Sequence, residues 1–314
     1  MKVIFLGTPD FAVNTLKAIL QSKHEVVAVV TQPDKPVGRS AKLTFSPVKE
    51  VAVQNGIKVL QYNKIRFEGV EDLKQCHADI MVTCAFGQIL SQEIIDIAPH
   101  GIINVHASLL PAYRGAAPIQ WAILNGDKQT GVTIMQTEAG IDTGDIISVS
   151  KTDIDPEETA GELFDRLSLI GANLLVKTLD DIQAGKATFT PQNHQLATHV
   201  KMLKKEDGII DFKRNSESIY NHVRGMNPWP CAFTYLNGKA LKVFKAEVVK
   251  NITVNENAPC GSVLVADNKN GLIVKTLDGA IRLCQIQAEG GKRMKDVEYL
   301  LGHKIPLMEV LKNA

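Results

Sequence analysis

Along the first half of the chain, apolar residues gather in short β-branched runs, and each run is followed by a stretch with helical spacing. Residues 2–6 form the first run. Gly7-Thr8-Pro9-Asp10 then opens a helix whose buried stripe is Val13, Leu16, Ala18, Ile19 and Leu20. Thr8 suits the N-cap and Pro9 the first helical position. Residues 25–31 make a second strand, so the chain begins as a βαβ unit with parallel strands. Ser46-Pro47 caps a helix running toward Asn55-Gly56, residues 58–60 and 79–83 read as strands, and residues 67–75 between them as helix. Further strands are predicted at 102–105, 131–137 and 146–150, with helices at 92–97 and 118–124. The capping box Thr159-Ala160-Gly161-Glu162 starts a long amphipathic helix through Leu163, Leu167, Ile170, Leu174, Leu175, Thr178 and Ile182, ending at Gly185. This alternation predicts one α/β domain with a mostly parallel sheet over residues 1–188.

The pattern then changes. Residues 189–206 are polar and extended and read as a linker. Residues 207–314 are β-rich. Runs at 232–236 and 240–249 flank Asn237-Gly238, a strong hairpin signal. Runs at 262–266 and 272–276 flank a turn at 267–271, and Asp278-Gly279 precedes 280–286. Short strands at this spacing predict a small barrel.

Composition adds little to this picture. Hydrophobic residues make up 45% and charged residues 22%, ordinary for a soluble globular protein. No window is long and apolar enough for a membrane span, and residues 2–6 are too short for a signal-peptide core. Five scattered cysteines without a Cys-x-x-Cys pair fit reduced thiols in a cytoplasmic protein. The net charge of +1 does not announce a nucleic-acid partner. Residues 205–314, however, hold 16 Lys and Arg against 12 Asp and Glu, a weak bias suited to phosphates.

The candidate chemistry centres on the stretch from Asn104 to Trp121. On a strand, Asn104 and His106 point to the same side. An amide donor and an imidazole then converge, a pair able to stabilise the oxyanion of a carbonyl under nucleophilic attack. An imidazole with an ordinary pKa of about 6.5 also relays protons near neutrality. A capping Asn and a satisfied His at a strand end give the same pattern, and spacing leaves the two readings open. Asp142, between Gly140 and Gly144, is a candidate carboxylate partner for His106, with Asp145 and Glu138 as alternatives in the same loop. No second His lies close by in sequence, and no metal site is expected. Gly7 lacks the other glycines of a dinucleotide fingerprint. Without a G-x-S-x-G elbow, Ser108 is not expected to be a nucleophile. Residues 32–45 exceed what a compact α/β unit needs and hold Lys35, Arg39 and Lys42 among two prolines and a glycine. They read either as a solvated excursion or as a basic arm that closes on an anionic substrate.

Asn104-x-His106-x-Ser108-Leu109-Leu110-Pro111-x-Tyr113-Arg114-Gly115 closely resembles the hallmark of the tetrahydrofolate-dependent formyltransferases. Asp142, in Gly140-Ile141-Asp142-Thr143-Gly144, stands where that family places its third catalytic residue. Gly7-Thr8-Pro9-Asp10-Phe11, the Gln32-Pro33-Asp34 loop and Asn227-Pro228-Trp229-Pro230 extend the resemblance over essentially the whole chain. They narrow it to the members that act on initiator tRNA. Ala112 departs from relatives that often carry a basic or bulky residue there.

The resemblance implies a Rossmann-like N-terminal domain and an OB-like C-terminal β-barrel. It implies transfer of a formyl group from 10-formyltetrahydrofolate to the α-amino group of methionyl initiator tRNA, for translation initiation, by a monomer with no metal and no membrane attachment. Asn104 and His106 would stabilise the tetrahedral intermediate, and Asp142 would orient His106. Ser108, Leu109, Leu110 and Pro111, with Phe86 and Ile89, would receive the folate, and an apolar loop suits a flat ring. Lys35, Arg39 and Lys42 would enter the acceptor stem of the tRNA. The C-terminal domain would hold the tRNA backbone, where contacts position without reading sequence.

Overall fold

The computed structural model describes residues 1–37, 42–250, 252 and 257–312. The chain forms two compact units. The first comprises residues 1–118, 129–153 and 164–200, and the second residues 119–128, 154–163 and 201–314.

The first unit opens with β1 (Lys2–Gly7), α1 (Phe11–Leu20) and β2 (Glu25–Thr31). A small hairpin, β3 (Lys35–Val37) and β4 (Lys42–Thr44), precedes α2 (Pro47–Gln54) and β5 (Val59–Gln61). Then come α3 (Ile65–Glu68), α4 (Val70–Lys74), β6 (Ile80–Cys84), α5 (Gln92–Ile95), β7 (Ile102–His106) and β8 (Arg114–Gly115). The chain then leaves for the second unit through α6 (Pro118–Leu124) and returns with β9 (Gln129–Gln136), β10 (Ile146–Asp153), α7 (Ala160–Gln183), which enters the first unit at Phe164, and β11 (His199–Val200). Seven strands form one sheet in the order β10-β9-β7-β6-β1-β2-β5. The pairs from β7 through β5 are parallel, while β9 and β10 run antiparallel at one edge. Val3, Ile4, Phe5 and Leu6 are fully buried, as are Ile80, Met81 and Val82. Unbroken apolar runs of this kind mark parallel strands covered on both faces.

Local chemistry shifts several predicted boundaries. The first helix begins at Phe11 with Asp10 at its cap position, because the Thr8 hydroxyl is engaged elsewhere, accepting from the Gln32 backbone N–H at 3.2 Å. Ser46 does cap α2, accepting from the Lys49 N–H. The single helix expected at 67–75 is two short ones divided at Gly69, where a Cβ would stand 2.8 Å from Ile65 Cγ1. Most of the stretch read as a linker, up to residue 200, is tied into the first unit. Thr190 bridges Ile146, and β11 pairs in parallel with β8.

In the second unit, α8 (Ser216–Gly225) precedes β12 (Ala232–Leu236), β13 (Lys239–Val249), β14 (Val263–Asp267), β15 (Gly271–Lys275), β16 (Ala280–Ala288), β17 (Met294–Lys295) and α9 (Asp296–Gly302). The strands form an antiparallel sheet in the order β12-β13-β16-β15-β14, with β17 on β16. Asn237 and Gly238 both have positive φ (52° and 75°), as the tight turn between β12 and β13 requires. Strand pairing among the described residues leaves the sheet open, so the expected barrel is not closed by its strands alone. Single bridges instead join Tyr235 to Lys312 and Ser262 to Val310. A buried ion pair stands at the start of α9. Asp296, 1% exposed, accepts from Arg282 Nε at 2.7 Å, Arg282 Nη2 at 3.0 Å and the Leu272 backbone N–H at 2.9 Å. Gly271 makes room for it, since a Cβ there would lie 2.0 Å from Asp296 Oδ2.

His222 on α8 is buried, and its Nε2 donates to the Gly208 carbonyl. Burial pushes its pKa below the ordinary value, against the pull of that carbonyl, and Arg214 adds to the lowering. The fold therefore holds a neutral imidazole. Above about pH 6.5 both folded and unfolded chains carry it neutral, so it has no effect on stability. Below that value the unfolded chain binds the proton first, and stability falls as pH falls. The melting temperature is expected to decline on acidification from about pH 6.5, and His222→Gln, which keeps an N–H donor, to flatten part of that limb. An identical pH dependence in the variant would refute this. His24 in the first unit, lowered by burial and then by the N-terminal ammonium, contributes in the same direction.

No helix among the described residues is long and apolar enough to cross a membrane. No group of three or more His, Cys, Asp or Glu residues among them is placed to hold a metal ion.

Candidate active site

The order of the first sheet reverses at β1, with β2 on one side and β6 and β7 on the other. In open α/β sheets, ligands bind beyond the carboxyl ends of strands near such a reversal. Asn104 and His106 stand at that end of β7, on the same side of the strand.

Each is held by a neighbour. Asn104 lies opposite Thr83 on β6, whose hydroxyl donates to Asn104 Oδ1 at 2.8 Å. This bond uses the amide oxygen, so the amide NH2 is the group left to donate. His106 is 6% exposed, and its Nε2 donates to the Tyr113 carbonyl at 3.0 Å. Its Nδ1 faces Asp142 Oδ2 at 3.7 Å, beyond hydrogen-bond length. Asp142 is fixed by a backbone donor, accepting from the Gly115 N–H at 2.8 Å. It occupies a positive-φ position (51°), where the flanking chain turns tightly. Of the three acids in the loop, Asp142 is the one whose carboxylate faces the imidazole.

The orienting bond to His106 thus comes from the Tyr113 carbonyl, and no direct bond from Asp142 is made. With the Nε2 proton committed to Tyr113, a neutral imidazole turns the Nδ1 lone pair toward the carboxylate. Two acceptors then look at each other across a short gap. Such a gap takes a donor, whether a proton on Nδ1, a water or the N–H of an amine. An amide donor beside a place that accepts a proton is the equipment for addition to a carbonyl.

The residues expected to line a folate are less uniform. Ser108 is fully buried and donates to the Ala112 carbonyl at 2.7 Å, while its own carbonyl accepts from Thr133 Oγ1 at 2.7 Å. Leu110 is buried, and its N–H donates to Thr133 Oγ1 at 3.2 Å. Leu109 and Pro111 are half-buried and present partial apolar surface. The departure at Ala112 leaves these bonds intact, because the residue contributes its backbone. Phe86 does not offer its ring. It is 4% exposed and packs in the core with Leu6, Val30, Tyr62 and Ile65, while Gln32 Nε2 donates to its carbonyl at 3.0 Å. Ile89, at 73% exposure, is the open apolar residue of that loop.

Lys35 is exposed on β3, with Nζ 3.5 Å from Gln32 Oε1. Lys42 belongs to β4 by its backbone pairing with Val37. Arg39 and the Lys42 side chain lie outside the described residues. The base of the hairpin is anchored by Asp34, which accepts from Lys49 Nζ at 2.5 Å and Gln61 Nε2 at 3.0 Å. The bond from Lys49 holds the Asp34 carboxyl below the usual carboxylate range.

Sequence reasoning missed Thr83, the Tyr113 carbonyl and Gln192. A lone hydroxyl at the carboxyl end of the apolar run 80–84 was a usable signal for Thr83. Gln192, inside the supposed linker, gave none.

The chain matches the formyl transferase family model over residues 1–179 and the formyl transferase C-terminal domain model over residues 202–304. It is 49% identical over 308 residues to a methionyl-tRNA formyltransferase of Lachnospira eligens, covering 97% of this chain and 98% of that one. A methionyl-tRNA formyltransferase of Acetivibrio thermocellus is 45% identical over 312 residues, with 99% of each chain covered. Among solved structures, an N-formyltransferase from Helicobacter canadensis, in complex with folinic acid and dTDP-3-aminofucose, shares the fold with a TM-score of 0.66. Its sequence identity is 23%, over 94% of this chain and 100% of that one. With both family domains matched and close similarity along nearly its full length, the chain belongs to the formyltransferase family, within the group of the methionyl-tRNA formyltransferases.

Proposed function

We propose that this chain transfers the formyl group of 10-formyltetrahydrofolate to the α-amino group of methionyl initiator tRNA, supplying formylmethionyl-tRNA for translation initiation. The observation that supports the chemistry is the gap between His106 Nδ1 and Asp142 Oδ2 at the end of β7, with Asn104 two residues before His106 on the same side of the strand. The acceptor comes from the full-length similarity to methionyl-tRNA formyltransferases.

The amine nitrogen attacks the formyl carbon, and the carbonyl π electrons move onto oxygen. Asn104 donates to that oxyanion through the amide NH2 that Thr83 leaves free, and His106 stands beside it. The attacking amine gains positive charge and must lose a proton. The facing acceptors, His106 Nδ1 and Asp142 Oδ2, take it up. The C–N bond to the folate then breaks, and the leaving nitrogen receives a proton from the same relay. Proton and charge balance, and no group is oxidised or reduced.

Residues 1–188 form the catalytic domain in this reading, with Leu109, Leu110, Pro111 and Ile89 offering apolar surface to the folate. Ser108 and Phe86 support that surface from beneath. Lys35, Arg39 and Lys42 meet the phosphates of the acceptor stem, where positive charge adds salt-sensitive affinity. Residues 207–314 form an OB-like tRNA-binding domain. The bridges of Val310 and Lys312 to the two edges of the sheet support that reading.

The test is transfer of labelled formyl from 10-formyltetrahydrofolate to methionyl initiator tRNA, beside small amines and a control without folate. Label on the tRNA alone supports the reading. Equal labelling of a free amino sugar or amino acid sinks the assignment of the acceptor. Arg39→Ala is expected to raise KM for tRNA and leave folate binding unchanged.

A further inference from the structure

Gln192 sits in a polar stretch that looks like a tether in the sequence, yet it is 5% exposed. Its side chain is fully employed. Oε1 accepts from Arg114 Nε at 3.1 Å and Arg114 Nη2 at 2.7 Å. Nε2 donates to the Asp142 carbonyl at 2.9 Å and the Gly144 carbonyl at 2.7 Å. A glutamine amide has two donors and one oxygen with two lone pairs, so all four positions are filled.

Its partner Arg114 directly follows Tyr113, whose carbonyl accepts from His106 Nε2. Arg114, 3% exposed, precedes Gly115, whose N–H holds the Asp142 carboxylate. Asp142 and Gly144 belong to the loop that presents this carboxylate. Residues on either side of Gln192 are themselves fastened. Thr190 bridges Ile146, Arg114 Nη2 lies 3.1 Å from His194 Nδ1, and β11 pairs with β8. The loop needs such a hold, because Asp142 has positive φ and its carboxylate stops 3.7 Å short of His106. A shift of a few tenths of an ångström would open the gap or close it onto the imidazole.

We infer that Gln192 is a positioning residue for the reaction, a clamp that sets the distance between Asp142 and His106 by tying the Asp142 loop to Arg114. The inference rests on the proposed formyl transfer. Gln192 touches neither reacting group. It acts through the backbone of Asp142, so its effect falls on turnover and not on binding. Misplacement of a catalytic group by about an ångström can cost on the order of 100-fold in rate.

The test is a double-mutant cycle with Gln192→Met and Asp142→Asn in the full-length protein. Methionine fills the space without the hydrogen bonds. Gln192→Met is expected to lower kcat by on the order of 10- to 100-fold, with KM for the folate donor and tRNA little changed. The double variant is expected to be no slower than Asp142→Asn alone, since residues acting as one unit are not additive. Independent, multiplying losses would overturn the inference, because a residue that merely stabilises the fold behaves that way. A normal kcat in Gln192→Met beside an impaired Asp142→Asn would overturn it while leaving formyl transfer standing. A normal Asp142→Asn would overturn both this inference and the role of the carboxylate. Should Gln192→Met lose a cooperative melt, Gln192→Glu replaces it in the cycle under the same criteria. That variant keeps the acceptor for Arg114 and sets a carboxylate against the carbonyls of Asp142 and Gly144.

Discussion

Asn104→Ala and His106→Ala should each lower turnover of methionyl-tRNA formylation by about 100- to 1000-fold while the protein stays folded, the first through loss of an oxyanion donor and the second through loss of an acceptor for the amine's proton. The reason lies in how the two side chains are pinned. Thr83 fixes the oxygen of Asn104 and so orients the amide NH2, the group that donates. Tyr113 commits Nε2 of His106, so the imidazole works through Nδ1. Neither side chain is large and apolar, so truncation removes little core packing. Thr83→Val separates positioning from chemistry. It is close to isosteric and frees the Asn104 amide to turn, and a smaller loss, about 10-fold, is expected. Single-turnover assays with saturating tRNA check all three. Near-normal rates in Asn104→Ala would remove the oxyanion assignment, and near-normal rates in His106→Ala the proton-uptake assignment.

The largest expected effect on stability lies in the second unit. Asp296→Ala removes one partner of the buried ion pair and leaves Arg282 with an uncompensated charge, while the Leu272 N–H loses its acceptor. Breaking a buried pair in this way costs about 3–5 kcal/mol. Arg282 retains 30% side-chain exposure and can rehydrate in part, so about 3 kcal/mol is expected. Gly271 sharpens the case, because the backbone beneath Asp296 has no side chain to fill the void. Urea unfolding followed by a probe in residues 201–314 checks this, and a change below about 1 kcal/mol would show that the pair is not a keystone.

Much of this architecture was legible in the sequence because it depends on local pattern. The βαβ start, the Ser46 cap, the Thr159 capping box and the Asn237-Gly238 turn each follow from residues a few positions apart. Asn104 and His106 were legible for the same reason, since a two-residue spacing on a strand fixes a shared side. The choice of Asp142 over Asp145 and Glu138 had to come from family resemblance, and the geometry favours it. What stayed hidden depends on distant partners. Thr8 reads as a cap until Gln32 claims its hydroxyl, and Phe86 reads as ring-binding until the core claims its side chain. Gln192 meets Arg114 across 78 residues and Asp142 across 50, and no periodicity reports such a meeting.

The bridges of Val310 and Lys312 bear on how the protein is made. A ribosome delivers the chain from its N-terminus at about 5–20 residues per second. Every strand of the second unit is synthesised before the segment that joins Ser262 and Tyr235. Until that segment emerges, the outer edge of β14 and the Tyr235 end of β12, beyond the bridge of Phe233 to Ile209, lack a partner, and open edges of this kind recruit other chains. The second unit thus completes itself only once residues 308–312 have emerged, and this segment acts as a seal. A chain ended after Leu307 is expected to associate through those edges, visible as rising light scattering at concentrations where the full chain stays clear.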